Sequence, residues 1–141
     1  MTKLELQTHR LHPLFVCRVS GIDAGRPLTT AMVRALSDAI DRYAVLVLPG
    51  QHLDDERQLA FARHFGEIEA PRSNRPGTKR RLRPDVSDTS NLDEHNQPRA
   101  ADDPRRFDQL GNRLWHTDGS FRRIPAALSM LYAHQVPASG G

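Results

Sequence analysis

An α+β fold is predicted for this 141-residue chain by three observations. Two segments carry apolar residues at three- and four-residue spacing behind capping residues, the mark of amphipathic helices. Short runs rich in β-formers stop at Ser20-Gly21 and Pro49-Gly50. The composition, 38% hydrophobic and 26% charged, is that of a globular protein. A chain of this length builds one domain with a real core and is too short for two of ordinary size, so residues 1–141 read as a single domain. Ten prolines and a mean hydropathy of −0.60 predict long exposed loops between its compact segments.

In order along the chain, Leu14 to Val19 alternates loosely and reads as a strand, followed by the turn Gly25-Arg26-Pro27. Thr29 or Thr30 caps a helix whose Val33, Leu36, Ala39, Ile40 and Tyr43 form one apolar stripe reaching to about Arg42. Ala44 to Leu48 is a continuous apolar run, the pattern of a strand covered on both faces and central in a sheet. Asp54 is an N-cap, Asp55 and Glu56 suit the first turn of a helix dipole, and Gly66 ends a second helix over roughly 55–65. Leu59, Phe61, Ala62 and Phe65 supply its packed face. Regular patterning nearly disappears from Ala70 to Arg113, apart from a short strand expected near Val86 to Ser90. An irregular stretch that long inside a compact domain is usually functional or disordered. Order returns at Leu114, and Ala127 to Val136 reads as a strand ahead of the turn residues Pro137 to Gly141.

Several function classes are disfavoured at this stage. No apolar run approaches the roughly 20 residues of a membrane span, and MTKLELQTHR lacks the apolar core of a signal peptide, so a cytoplasmic location is expected. Cys17, the single cysteine, excludes an internal disulfide or a cysteine-based zinc site and reads as a small core residue. Net charge is only +3, yet Arg72, Arg75, Lys79, Arg80, Arg81 and Arg83 lie between Pro71 and Pro84 with no acid among them. A solvated loop is the favoured reading, ahead of an anion-attracting lid over an active site. A nucleic-acid surface ranks last, because the stretch lacks aromatic residues on which bases would stack. Asp102-Asp103-Pro104-Arg105-Arg106 reads as a solvated charged turn.

The chemistry-bearing stretch is GNRLWHTDGSF, residues 111–121. On an extended segment, side chains at i and i+2 share a face, so His116 and Asp118 can converge on one ion. An imidazole nitrogen and a carboxylate oxygen are two of the three ligands of a 2-His-1-carboxylate facial triad, which leaves positions on Fe(II) open for co-substrate and dioxygen. By itself the pair is weak evidence, and an ordinary turn at a strand end fits it as well. A zinc hydrolase finds no support in an HExxH motif or cysteine cluster. His64 admits two readings, as a substrate contact or as a helix-terminal residue serving dipole and packing.

Taken together, AVLVLPGQHLDDERQLAFARHFGEIE, LWHTDGSF and PAALSMLYAHQVPASGG resemble, in that order, the N-terminal half of the taurine dioxygenase and 2,4-dichlorophenoxyacetate dioxygenase family. The likeness runs from about Leu11 to Gly141. LHPLF, SDTSN and the GN before LWHTDGSF look closer to the aryloxyalkanoate branch than to the taurine branch. The resemblance implies a double-stranded β-helix, a jelly-roll variant, with helices packed on one sheet. It implies Fe(II) held by His116, Asp118 and a distal histidine, with 2-oxoglutarate as co-substrate, decarboxylated to succinate while a small anionic substrate is hydroxylated by dioxygen. Trp115 is expected to pack and fix the backbone before His116, with substrate contact as the lesser role. Asn112, His64 and Arg72 are further candidate substrate contacts. No nucleic acid or membrane partner is implied, and the full-length enzyme is compatible with a homo-oligomer.

The family's distal histidine and its 2-oxoglutarate-binding arginine fall beyond the length of this chain, as does the Asp-Thr continuation after SGG. His134, the one histidine after Asp118, stands where the family places no ligand. The chain is therefore expected to be a partial jelly roll truncated before its C-terminal strands, inactive alone. The alternatives are a non-catalytic remnant serving as an interaction module and, last, a basic binding protein acting through residues 72–83.

Overall fold

A computed structural model describes residues 6–69, 81–104, 106, 111, 114–136 and 138–139. The described elements are β1 (Gln7–Arg10), β2 (Cys17–Ser20), α1 (Thr30–Tyr43), β3 (Leu46–Val47) and α2 (Asp55–Arg63). The chain divides into two compact units, Met1–Glu67 with Met130–Gly141, and Ile68–Ser129. All five elements lie in the first.

In that first unit the sheet runs β1-β2-β3. β1 and β2 pair antiparallel, Gln7 opposite Ser20 and Arg10 opposite Cys17. β2 and β3 pair parallel, Cys17 opposite Leu46, which requires a crossover, and α1 supplies it. Thr29 is the cap of α1: its hydroxyl accepts the Met32 N–H at 3.2 Å. The helix closes where the Ala44 N–H donates to Ile40 O at 2.7 Å, with Ala44 at φ 59°. The Asp54 carboxylate accepts the Arg57 N–H at 2.8 Å to start α2, and the C-cap of that helix is His64.

Alternation along β2 buries Cys17 and Val19 and exposes Arg18 and Ser20. Val19 joins Ile22, Ala24, Leu36 and Phe61 in the core, with Leu6, Leu28, Met32, Leu46, Leu53, Phe65 and Met130 packed around them. Cys17 is a fully buried core residue, as expected. Gln51 ties the loops together. Its amide accepts from Ala24 N at 2.7 Å and donates to Ile22 O at 3.1 Å, while the Tyr132 hydroxyl donates to Gln51 O at 3.2 Å.

Sequence and structure differ at four places. β1 carries no strand signal in the sequence, because Gln-Thr-His-Arg is exposed throughout and has no apolar alternation; pairing with β2 alone makes it a strand. The apolar run at 44–48 is not central: β3 is two residues long at the sheet edge, with Val45 and Val47 exposed. A continuous apolar run predicts burial on both faces only where a second layer covers it, and no such cover is present among the described residues. Ala127 to Val136 forms no strand there, with Leu131 and Val136 exposed, since extended backbone becomes a strand only when a ladder partner takes its N–H and C=O groups.

The fourth lies in the second unit, where Val86 to Ser90 forms no strand. Instead Leu92 and Pro98 make an isolated antiparallel bridge. The intervening turn is set by Asp93, whose Oδ1 accepts the N–H groups of His95 at 2.8 Å and Gln97 at 2.9 Å. Those two bonds, Gln97 foremost, hold the Asp93 carboxyl below its ordinary pKa. The irregularity foreseen for the described part of 70–113 is therefore built from side-chain to backbone bonds in place of a ladder.

Candidate metal centre

Residues 115–117 carry no regular secondary structure, and Asp118 to Phe121 form a turn in which the Arg122 N–H donates to Gly119 O at 2.9 Å. Gly119 has φ +66°, a left-handed conformation that strains other residues and so explains a glycine directly after Asp118. His116 and Asp118 meet on the surface of this turn: Nε2 and Oδ1 stand 3.1 Å apart. His116 Nδ1 lies 2.8 Å from its own neighbour's carbonyl, Leu114 O.

The geometry decides what the pair can do. A carbonyl only accepts, so Nδ1 must carry the proton and donate it to Leu114 O. Neutral His116 then presents the Nε2 lone pair beside the carboxylate, the tautomer a metal ligand needs. With metal–ligand bonds of about 2.1 Å, adjacent donors of an octahedral ion stand about 3 Å apart, and this pair matches that edge. Without an ion, the same closeness favours a proton between Nε2 and Oδ1. The hydrogen bond to Leu114 O and then the charge of Asp118 raise the His116 pKa above its ordinary value. The donor set therefore fits a divalent metal taking one nitrogen and one oxygen.

Asp118 has a second partner that the sequence reading missed. The Ser129 hydroxyl donates to Oδ2 at 2.8 Å, so the two carboxylate oxygens are engaged by different groups. Nothing in the spacing points to it, because ten residues of irregular chain lie between the two. Among the described residues no group of three His, Cys, Asp or Glu is placed to hold a metal. His134 belongs elsewhere: its Nε2 lies 4.0 Å from Asp55 Oδ1, and its ring meets that of Tyr132 edge-on.

Other candidates divide. Trp115 does not pack as expected; it is fully exposed beside His116, so Nδ1 bonding to Leu114 O, and no indole contact, fixes the imidazole. His64 ends α2 in the first unit, where its Nε2 accepts the Leu28 N–H at 3.4 Å, the structural role weighed for it. Asn112 and Arg72 lie outside the described residues. Of the basic stretch 72–83, Arg81 and Arg83 are described, and neither is a free cation. Arg81 grips Asp88 with two bonds, Nε–Oδ2 at 2.9 Å and Nη2–Oδ1 at 2.8 Å, and also donates to Asn96 and Ser90. Its pKa is raised, chiefly by the bond to Asp88. Burial pushes the Asp88 carboxyl up, but bonds from Arg81 and Ser90 and the charges of Arg81 and Arg99 outweigh it, leaving the pKa lowered. Arg83 pairs with Asp85 at 3.2 Å. Asp103, expected in a solvated turn, is mostly covered and paired with Arg99 at 3.5 Å.

Residues 7–141 match the model of the taurine catabolism dioxygenase TauD, TfdA family. The chain belongs to the TauD/TfdA family. It is 37% identical to an alpha-ketoglutarate-dependent 2,4-dichlorophenoxyacetate dioxygenase of Burkholderia sp. (strain RASC), a match covering 98% of this chain and 47% of that protein. Against the (S)-phenoxypropionate/alpha-ketoglutarate-dioxygenase of Delftia acidovorans identity is 31%, covering 81% of this chain and 37% of that one. The crystal structure of AAD-2 in complex with Mn(II) and N-oxalylglycine superposes with a TM-score of 0.76 at 42% identity, over 86% of this chain and 43% of that one. This TauD/TfdA chain thus spans about half the length of the curated relatives it matches. No helix among its described residues is long and apolar enough to cross a membrane.

Proposed function

We propose that this chain supplies the N-terminal part of an Fe(II)- and 2-oxoglutarate-dependent dioxygenase, with His116 and Asp118 as two of its iron ligands. The observation that carries this reading is His116 Nε2 standing 3.1 Å from Asp118 Oδ1 while its Nδ1 lies 2.8 Å from Leu114 O. Relatives named for alpha-ketoglutarate dependence support it. So does the similar structure holding Mn(II) and N-oxalylglycine, which is 2-oxoglutarate with an amide N–H in place of one methylene. The three strands and two helices are then part of a double-stranded β-helix with helices on one sheet, and the third ligand comes from outside the described residues.

Bound Fe(II) with 2-oxoglutarate supplies the oxidising chemistry: dioxygen delivers one oxygen atom to a substrate C–H and one to succinate, with release of carbon dioxide. The chain's own residues do the rest. Leu114 O orients the imidazole, Asp118 contributes the anionic charge, and Trp115 offers an exposed aromatic face next to the ligand pair. That face suits an aryl ring, so a small aryloxyalkanoate is the proposed substrate, with a sulfonate- or sulfate-like anion as the alternative. Hydroxylation at the carbon bearing the ether oxygen yields a hemiacetal, which collapses to a phenol and a carbonyl acid without further catalysis. Asn112 and Arg72 complete the proposed substrate contacts.

The intact protein should develop visible charge-transfer absorption when Fe(II) and 2-oxoglutarate are added without oxygen, and release succinate when an aryloxyacetic acid and oxygen follow. Absorption that persists in both His116→Ala and Asp118→Ala variants would sink the ligand assignment. A stable protein with no metal dependence would instead support the non-catalytic interaction module.

A further inference from the structure

The two oxygens of Asp118 are not equivalent. Oδ1 faces His116 Nε2 at 3.1 Å, whereas Oδ2 accepts the Ser129 hydroxyl at 2.8 Å. A carboxylate free to rotate can chelate an ion through both oxygens. In a site that must keep positions open for a two-point co-substrate and for dioxygen, that second oxygen would occupy a position the reaction needs. A hydrogen bond to one oxygen lowers its donor strength and holds it away from the ion, so the other coordinates alone.

We infer that Ser129 is a positioning residue of the metal site, whose hydroxyl restrains Asp118 to one-oxygen coordination through Oδ1. The inference rests on the metal-ligand reading of His116 and Asp118. Ser129 is exposed, so its hydroxyl is not there to fill a core position, and it joins Asp118 from eleven residues away across the Gly119 turn. Partners of this kind orient ligands and raise affinity while touching neither metal nor substrate.

The test compares Ser129→Ala and Ser129→Thr in the intact protein, measuring Mn(II) binding by loss of the free-ion electron paramagnetic resonance signal and the thermal midpoint of the metal-free protein. Ser129→Ala should raise the Mn(II) dissociation constant about tenfold, the usual scale for losing an outer-shell partner. The metal-free midpoint should stay put, and Ser129→Thr, which keeps the hydroxyl, should bind like the unaltered protein. Equal Mn(II) affinity in the alanine variant, or a lowered metal-free midpoint accompanying the loss, overturns the positioning role and leaves the ligand pair standing. Failure of the unaltered protein to bind Mn(II) overturns the ligand pair as well.

Discussion

The two units of this chain are held by different physics. Among the described residues, the eight buried core residues, from Cys17 to Phe61, all lie in the first unit. Among the described residues of the second, none is buried. That unit is tied instead by charged and polar contacts: Arg81 with Asp88, Arg99 with Asp103, the Asp93 turn, and Arg122 Nε against Glu69 Oε1 at 2.6 Å. Apolar burial is non-directional and supports a fold broadly, whereas a hydrogen-bonded ion pair fixes direction and contributes less than a buried core side chain. The proposed ligand pair, His116 and Asp118, lies in the unit where direction matters.

The largest effect that can break this comparison is in the first unit. Phe61→Ala removes a buried ring from the core and should cost about 3–4 kcal/mol in urea denaturation; a loss under about 1 kcal/mol would mean that Phe61 does not anchor that core. Next in size, Asp118→Ala or His116→Ala should weaken metal binding by about a hundredfold or more, beyond the scale of outer-shell losses. Because both side chains are exposed, unfolding free energy should shift by no more than about 0.5 kcal/mol. A concurrent collapse of stability would erase the distinction between a burial-held unit and a site-bearing one.

Arg81→Ala should have a smaller effect, about 1–2 kcal/mol for opening a charge-assisted network, visible as faster hydrogen exchange at the His95 and Gln97 amides. The same variant carries a signed titration. Asp88 is held below the ordinary carboxylate pKa of about 4, so its contribution to stability is present above that pH and is lost as pH falls through the lower folded-state value. Without Arg81, burial dominates and the Asp88 midpoint should rise, followed by nuclear magnetic resonance of its carboxyl carbon. An unmoved midpoint would show that Arg81 is not the partner that counts.

The smallest effect tests backbone strain. Ala44 closes α1 at φ 59° and ψ −33°, a sparsely populated conformation that costs an L-residue about 1–3 kcal/mol and that glycine adopts more readily. Ala44→Gly should therefore raise stability by about 0.5 kcal/mol, after subtracting the greater freedom of glycine in the unfolded chain. A lower melting temperature would locate the strain elsewhere.

Signals confined to a turn or two of chain were legible in the sequence. The Thr29 and Asp54 caps, the Leu36 and Ala39 stripe and the pairing of His116 with Asp118 all depend on neighbours within four residues. The order of the three quoted motifs also identified the family, because each motif is a local device with its own constraint. Tertiary structure alone decided the rest. It made a strand of the polar Gln7 to Arg10, left the apolar run at Leu46 on an edge, and drew Arg81 to Asp88, Ser90 and Asn96. It also placed the Ser129 hydroxyl on Asp118 Oδ2. Contacts of that kind require loops of irregular chain to close, and their partners are chosen by packing and charge in three dimensions, which no periodicity of two or 3.6 residues records.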